Sequence, residues 1–198
     1  MSKIITISRQ YASGGRTIGM QVAKKLGIDF YDSAIVKETM KKTGLAQEIV
    51  EATEQRITNS FLFNLVMGVD ISHNNIKQIE KAEHEIIQNF IDKGSCVIVG
   101  RSANFISSDK DDVLNVYIYS DIKNRIDYAV KNYNIDEKQA KQIIEQSDKE
   151  RSLYASNFYG KDWGNKLNYS LMLNSGLLGI EKCVDIICAA IERGGKNE

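Results

Sequence analysis

The spacing of apolar positions changes several times along the chain, and each change marks an element. Ile4, Ile5 and Ile7 form a β-branched run too short for a helix and closed by Ser8-Arg9-Gln10, which predicts a buried strand. Ile18, Val22 and Leu26 then recur every four residues and Gly27 follows, the pattern of a helix with a glycine stop. Ile28 to Tyr31 predicts a second short strand, with Asp32 at its carboxyl end. From Ser33 to Lys93 the pattern is helical, with breaks near Thr43-Gly44 and Gly68 and a last piece over 74–93 that closes on Gly94. Cys96–Val99 and Val113–Tyr119 predict two more strands. Asp136 suits the N-cap of a helix over EKQAKQIIEQ, after which DKERSLYASNFYGKDWGNK is polar, aromatic and glycine-bearing. Tyr169–Leu173 predicts a fifth strand and Ile180–Ile191 a final amphipathic helix.

Strands alternating with helices predict an α/β fold, a five-stranded parallel sheet with helices on both faces. In such folds ligands bind beyond the carboxyl ends of the strands, where Ser8, Asp32, Arg101 and Asp121 fall. A chain of 198 residues suits one domain.

Composition narrows the chemistry. Lys plus Arg and Asp plus Glu both number 26, so no global field draws in nucleic acid, and an anion site has to be local. Cys96, Cys183 and Cys188 lie in apolar segments without a CxxC pair or nearby histidines, which reads as buried thiols in a reducing cytoplasm. His73 and His84 fall in predicted helices without metal-ligand spacing and read as structural. No leader pattern opens the chain and no apolar run approaches the ~18 residues of a membrane span. The expectation is a soluble cytoplasmic protein whose partners are small molecules rather than nucleic acid or membrane, with the oligomeric state open.

The chemistry concentrates in SRQYASGGRTIG, residues 8–19, between the first strand and the first helix. A phosphate loop reads G-x-x-x-x-G-K-[ST]: amides cradle phosphates, the lysine neutralises them and the hydroxyl serves magnesium. Here Gln10 replaces the first glycine and Arg16 the lysine, while Gly15 and Thr17 are kept. Arginine is permanently charged and its planar fork suits phosphate oxygens, and Gly14-Gly15 at a helix start leave N–H groups free. On the loop alone, a plain glycine turn between strand and helix is the competing reading.

The loop resembles the divergent phosphate loop of the cytidylate kinase-like proteins, a branch of the nucleoside monophosphate kinases, although Ala12 stands where a glycine is usual. FYDSAIV, GRSANFI and DKERSLYASNFYGKDWGNKLNYSLMLNS resemble the family's later segments in order and spacing. The resemblance implies a P-loop kinase moving the γ-phosphoryl of ATP, with Mg2+, to CMP or dCMP. It implies a helical acceptor-binding insertion over 33–93 and a lid over 145–168. Ser13, Gly14, Gly15, Arg16 and Thr17 would hold the donor phosphates, Thr17 and Asp32 magnesium, and Arg125 the donor base. Arg151, with Lys149 assisting, would meet the transferring phosphoryl group, so that Arg16, Asp32 and Arg151 form the catalytic set. Arg101 would grip the acceptor phosphate, with Asp32, Lys37 and Arg56 nearby, and Ser33, Gln47 and Asn64 are candidates for reading the acceptor base. Trp163, Tyr159 and Phe158 suit either base cover or hinge packing.

Two departures stand out. The acid expected before Gly100-Arg101 is Val99, and the cation expected one turn after Arg125 is Ala129. Asp32 also suits a helix cap, and Arg125, Arg101 and Arg151 also suit solvated surfaces. A kinase for another small acceptor and a nucleotide-binding module without turnover are therefore the alternatives.

Overall fold

The computed structural model describes residues 3–32, 35, 38, 41–44, 73–108, 110 and 112–193. Strands β1 (Ile4–Arg9), β2 (Asp29–Tyr31), β3 (Cys96–Val99), β4 (Val113–Tyr119) and β5 (Leu171–Asn174) form one sheet in the order β2-β3-β1-β4-β5. All four pairings are parallel, with Ile4 opposite Cys96 on one side and Val113 on the other. The helices are α1 (Gly15–Leu26), α2 (His73–Lys93), α3 (Ala103–Ile106), α4 (Ile122–Tyr133), α5 (Glu137–Tyr159), α6 (Ser175–Leu178) and α7 (Ile180–Arg193).

Alternation along the strands sends successive side chains to opposite faces. Ile5, Ile7, Val97, Val99, Val116 and Ile118 pack with Ile18 and Val22 of α1 and with Cys183, Val184 and Ile187 of α7. Ile4, Cys96 and Ile98 face the other way, against Ala82, Ile86, Ile87, Phe90 and Ile91 of α2 and against α3. Burial on both faces is why β1 and β3 read as continuous apolar runs. The three cysteines are free and buried, and burial pushes the Cys96 thiol up to about 12. Among the described residues no helix is long and apolar enough to cross a membrane.

The structure corrects one boundary substantially. The helix capped by Asp136, whose carboxylate accepts from Lys138 N–H, runs unbroken to Tyr159 and ends at Gly160. Most of 145–159 is therefore helix, and only 160–168 is loop and a short 3-10 turn. Only Ala140, Ile144 and Ala155 of this helix are fully buried, and its inward face also carries the polar Asp148 and Arg151, so the apolar period that marks a helix is broken. The fifth strand begins at Leu171 rather than Tyr169.

The helix α1 lies close on the sheet because Gly19 faces it. A Cβ at Gly19 would sit 2.7 Å from Val99 Cγ2 and 3.2 Å from Ile7 Cδ1. Gly19→Ala gains roughly 1 kcal/mol of helix propensity but overpacks this contact at a cost of about 1–3 kcal/mol. Urea denaturation should show the variant less stable than wild type; a gain in stability would contradict the close approach.

Candidate active site

The loop after β1 is braced from within. Gln10 N–H donates to Ile118 O (2.9 Å), Gln10 Oε1 accepts from Ser120 N–H (3.0 Å), and Ser13 Oγ donates to Gln10 O (2.8 Å) and Ile118 O (3.2 Å). Ser175 Oγ, after β5, reaches Ser13 O (2.7 Å) and Tyr119 O (3.1 Å). Ser13 thus holds the loop's shape with its hydroxyl. Ala12 adopts φ 58°, a left-handed conformation that disfavours a Cβ. Its methyl is buried in one small apolar cluster with Ala129 and Ile144.

Gly14 (φ 74°) caps α1 without a side-chain hydrogen bond, and no acid lies in the helix's first turn. Among the described residues no side chain therefore caps the positive dipole end of α1, the arrangement that binds anions. Around this end stand several arginines, most of them paired with a carboxylate. Arg16 Nε donates to Asp32 Oδ2, and the Arg16 side chain is 57% exposed. Thr17 Oγ1 is 2.9 Å from Tyr128 OH. Asp148 on α5 is a hub: it accepts from Tyr11 N–H (2.7 Å), pairs with Arg125, and lies 3.5 Å from Arg151 Nη1. Arg151 in turn donates to Arg9 O (2.9 Å) and lies over the Tyr11 ring. Arg125 is buried, so its guanidinium faces Asp148 rather than an open surface.

The turn after β3 stores strain. Gly100, Arg101 and Ser102 all have positive φ, 82°, 56° and 51°. Left-handed non-glycine residues cost of order 1–3 kcal/mol each and cluster at functional sites. Arg101 Nη1 meets Glu83 of α2 at 3.1 Å, and Tyr154 OH of α5 donates to the same carboxylate at 2.6 Å. Glu83 is 1% exposed. The carboxylate beside Arg101 therefore comes from α2, not from the strand, where Val99 packs against Gly19.

The structure thus gathers Ser13, Gly14, Gly15, Arg16, Thr17 and Asp32 at one loop, joins Arg125 and Arg151 through Asp148, and places Arg101 at the neighbouring turn. Ser33, Lys37, Gln47, Arg56 and Asn64 lie outside the described residues. Trp163 packs on Tyr117 (5.4 Å), Tyr159 on Phe105 (5.6 Å) and Phe158 on Tyr154 (4.6 Å), all ring against ring. His84 is exposed on α2. Among the described residues no three His, Cys, Asp or Glu side chains form a metal cluster. A magnesium ion coordinated mostly by phosphate oxygens and water needs only one or two protein ligands, so the lack of a cluster does not conflict with such an ion. Glu83, Tyr154, Asp148 and Tyr128 were not singled out from sequence, because each reads as an ordinary helix residue until the helices are placed.

A parallel sheet in this order, with a glycine loop between the central strand and its helix, defines a P-loop NTPase fold of the kinase type, and solved structures share it. A structure described as an uncharacterized protein from Eubacterium ventriosum ATCC 27560 matches with a TM-score of 0.72 and 21% identity over 96% of this chain and 98% of that one. A shikimate kinase from Acinetobacter baumannii in complex with shikimate gives 0.55 and 14%, over 100% and 96%. A gluconokinase from Sinorhizobium meliloti 1021 gives 0.54 and 10%, over 99% and 95%. The family model for the cytidylate kinase-like family matches residues 4–177, and the chain belongs to that family. None of the curated proteins matches it. Its fold is that of the P-loop kinases.

Burial pushes the Glu83 carboxyl from its usual 4.5 up to about 7. Between those values the folded protein holds a proton that the unfolded chain has released, so this group's contribution to stability falls as pH rises across the window. Glu83→Gln removes that slope. Denaturation at pH 4.5 and pH 7.5 should show wild type losing more stability on going to the higher pH than the variant does; equal changes would contradict the assignment.

Proposed function

We propose that the protein transfers the γ-phosphoryl group of ATP to a small anionic acceptor, with nucleoside monophosphates as the leading class and CMP and dCMP first among them by family. The observation that carries this reading is the set of arginines around the uncapped end of α1, with Arg16 and Arg151 on the loop side and Arg101 on the β3 side. Phosphoryl transfer needs positioning and charge neutralisation more than covalent chemistry, and this set offers both.

In the reaction an acceptor oxygen forms a bond to the γ-phosphorus as the bond to the β–γ bridging oxygen breaks, and ADP leaves with that electron pair. A phosphate acceptor attacks through an oxygen already deprotonated, so no base is required. That suits a site in which Asp32, Glu83 and Asp148 each pair with arginine. The amides of Gly14 to Thr17 would hold the donor phosphates. Arg16 is exposed enough to exchange Asp32 for a phosphate oxygen, which frees the carboxylate. Asp32 and the Thr17 hydroxyl would then hold magnesium, which when bound shields phosphate charge. Arg151 would stabilise the transition state, and Arg101 the acceptor, together with Lys37 and Arg56. The segments 33–93 and 145–168 would serve as acceptor-binding insertion and lid.

A panel measuring ADP release from ATP tests the reading. It spans nucleoside monophosphates and, because shikimate kinases and a gluconokinase share the fold, small hydroxy acids. For the best acceptor, Arg101→Ala should raise KM about tenfold, the loss of one charge-assisted contact, with ATP affinity unchanged. Arg16→Ala should weaken ATP binding by a similar factor and Arg16→Lys recover part of it. ATP binding without acceptor-dependent ADP release would instead favour a nucleotide-binding module without turnover.

A further inference from the structure

The loop motif holds a second arginine, Arg9, to which the proposed function gives no part. Arg9 is the last residue of β1 and shares the α1 face with Ile5 and Ile7. Its stem lies under the phosphate loop: a Cβ at Gly15 would sit 2.5 Å from Arg9 Cβ and 2.8 Å from Cγ. Its guanidinium reaches the turn after β3, where a Cβ at Gly100 would overlap Nη1. Two glycines, one in each turn, thus clear a path for one side chain that runs from the donor loop to the turn carrying Arg101.

Its charged neighbours are Arg151, Asp32 and Arg101. Arg16, Arg101, Arg125 and Arg151 each lie within ion-pair distance of a carboxylate, whereas among the described residues Arg9 has no such pair. Burial, and then the Arg151 guanidinium, push its pKa down to about 9. An arginine keeps its proton at neutral pH. An anion placed between the two turns would relieve this unfavourable charge, which Asp32 offsets only in part.

We propose that Arg9 is a catalytic residue whose guanidinium contacts the transferring phosphoryl group between donor and acceptor. It supplies there a positive charge in addition to the one that Arg16 places on the donor phosphates. As the new phosphorus–oxygen bond forms and ADP departs with the electrons of the old one, Arg9 N–H groups donate to the equatorial oxygens, and no proton moves. The inference rests on the phosphoryl-transfer reading, but its first test does not need the acceptor.

Calorimetry compares ATP and ADP binding to wild type, Arg9→Met, Arg9→Lys and Gly100→Ala. Methionine keeps an apolar stem under Gly15, and the Gly100 variant displaces the guanidinium while leaving Arg9 in the chain. Arg9→Met should lose about tenfold in ATP affinity and less than about twofold for ADP, with Gly100→Ala similar and Arg9→Lys intermediate. With the best acceptor of the wild type, kcat of Arg9→Met should fall about a hundredfold or more, the scale of losing one transition-state donor. Equal changes for ATP and ADP, or kcat within about threefold of wild type, would overturn the proposal and leave Arg9 a packing residue. If Arg9→Met does not fold, Arg9→Lys and Gly100→Ala decide by the same ratio. If wild type turns over no acceptor, the proposed function fails while the ATP-to-ADP ratio still decides for or against Arg9.

Discussion

Like charges crowded at one end of a sheet repel, and much of this protein's local architecture is arranged around that repulsion. Arg9, Arg16, Arg101, Arg125 and Arg151 come from four different elements and one turn, and converge where β1, β3 and β4 end. Three carboxylates, Asp32, Glu83 and Asp148, are set among them. Each pairing also ties elements together. Asp148 fastens α5 to the loop after β1 and to α4, while Glu83 fastens α2 to both the β3 turn and α5. Removing one partner of such a buried pair leaves the other charge uncompensated, which costs more than the pair itself contributes.

The same arrangement prepares the site for an anion. The exposed Arg16–Asp32 pair exchanges partners easily, since solvent-exposed ion pairs contribute about 0–1 kcal/mol. The contacts of buried Glu83 and half-buried Asp148 hold their guanidinium groups in place. Strain at Gly100-Arg101-Ser102 and at Ala12 belongs to the same design: the backbone gives up some stability so that turns aim side chains and amides at one point.

Much of this was legible in the sequence, for definable reasons. β3 is buried on both faces and keeps an unbroken apolar signature, and β4 carries a dense β-branched and aromatic run around Asn115, so both are found with their ends in place. The glycine loop and α1 were legible because Gly14-Gly15 and the four-residue apolar period are local signals. Helix α5 was cut short because the face it turns inward carries Asp148, Arg151 and Tyr154, which look like surface. Arg125 read as a cation open to the donor base, yet it is buried on Asp148, a partner 23 positions away. Glu83 sits in the polar run EKAEHE and is recognisable only once α2 is laid against α5. Pairings between distant helices leave no periodic trace.

The central claim is that these arginines and the uncapped end of α1 form a site completed by phosphate charge. Thermal unfolding of the protein with tripolyphosphate, with adenosine, and with sodium chloride at matched ionic strength tests it most directly. The account predicts a concentration-dependent rise in midpoint with tripolyphosphate, as ligand binding to the folded state requires, and little change with adenosine or salt. A rise with adenosine equal to that with tripolyphosphate, or a rise reproduced by sodium chloride alone, would contradict it.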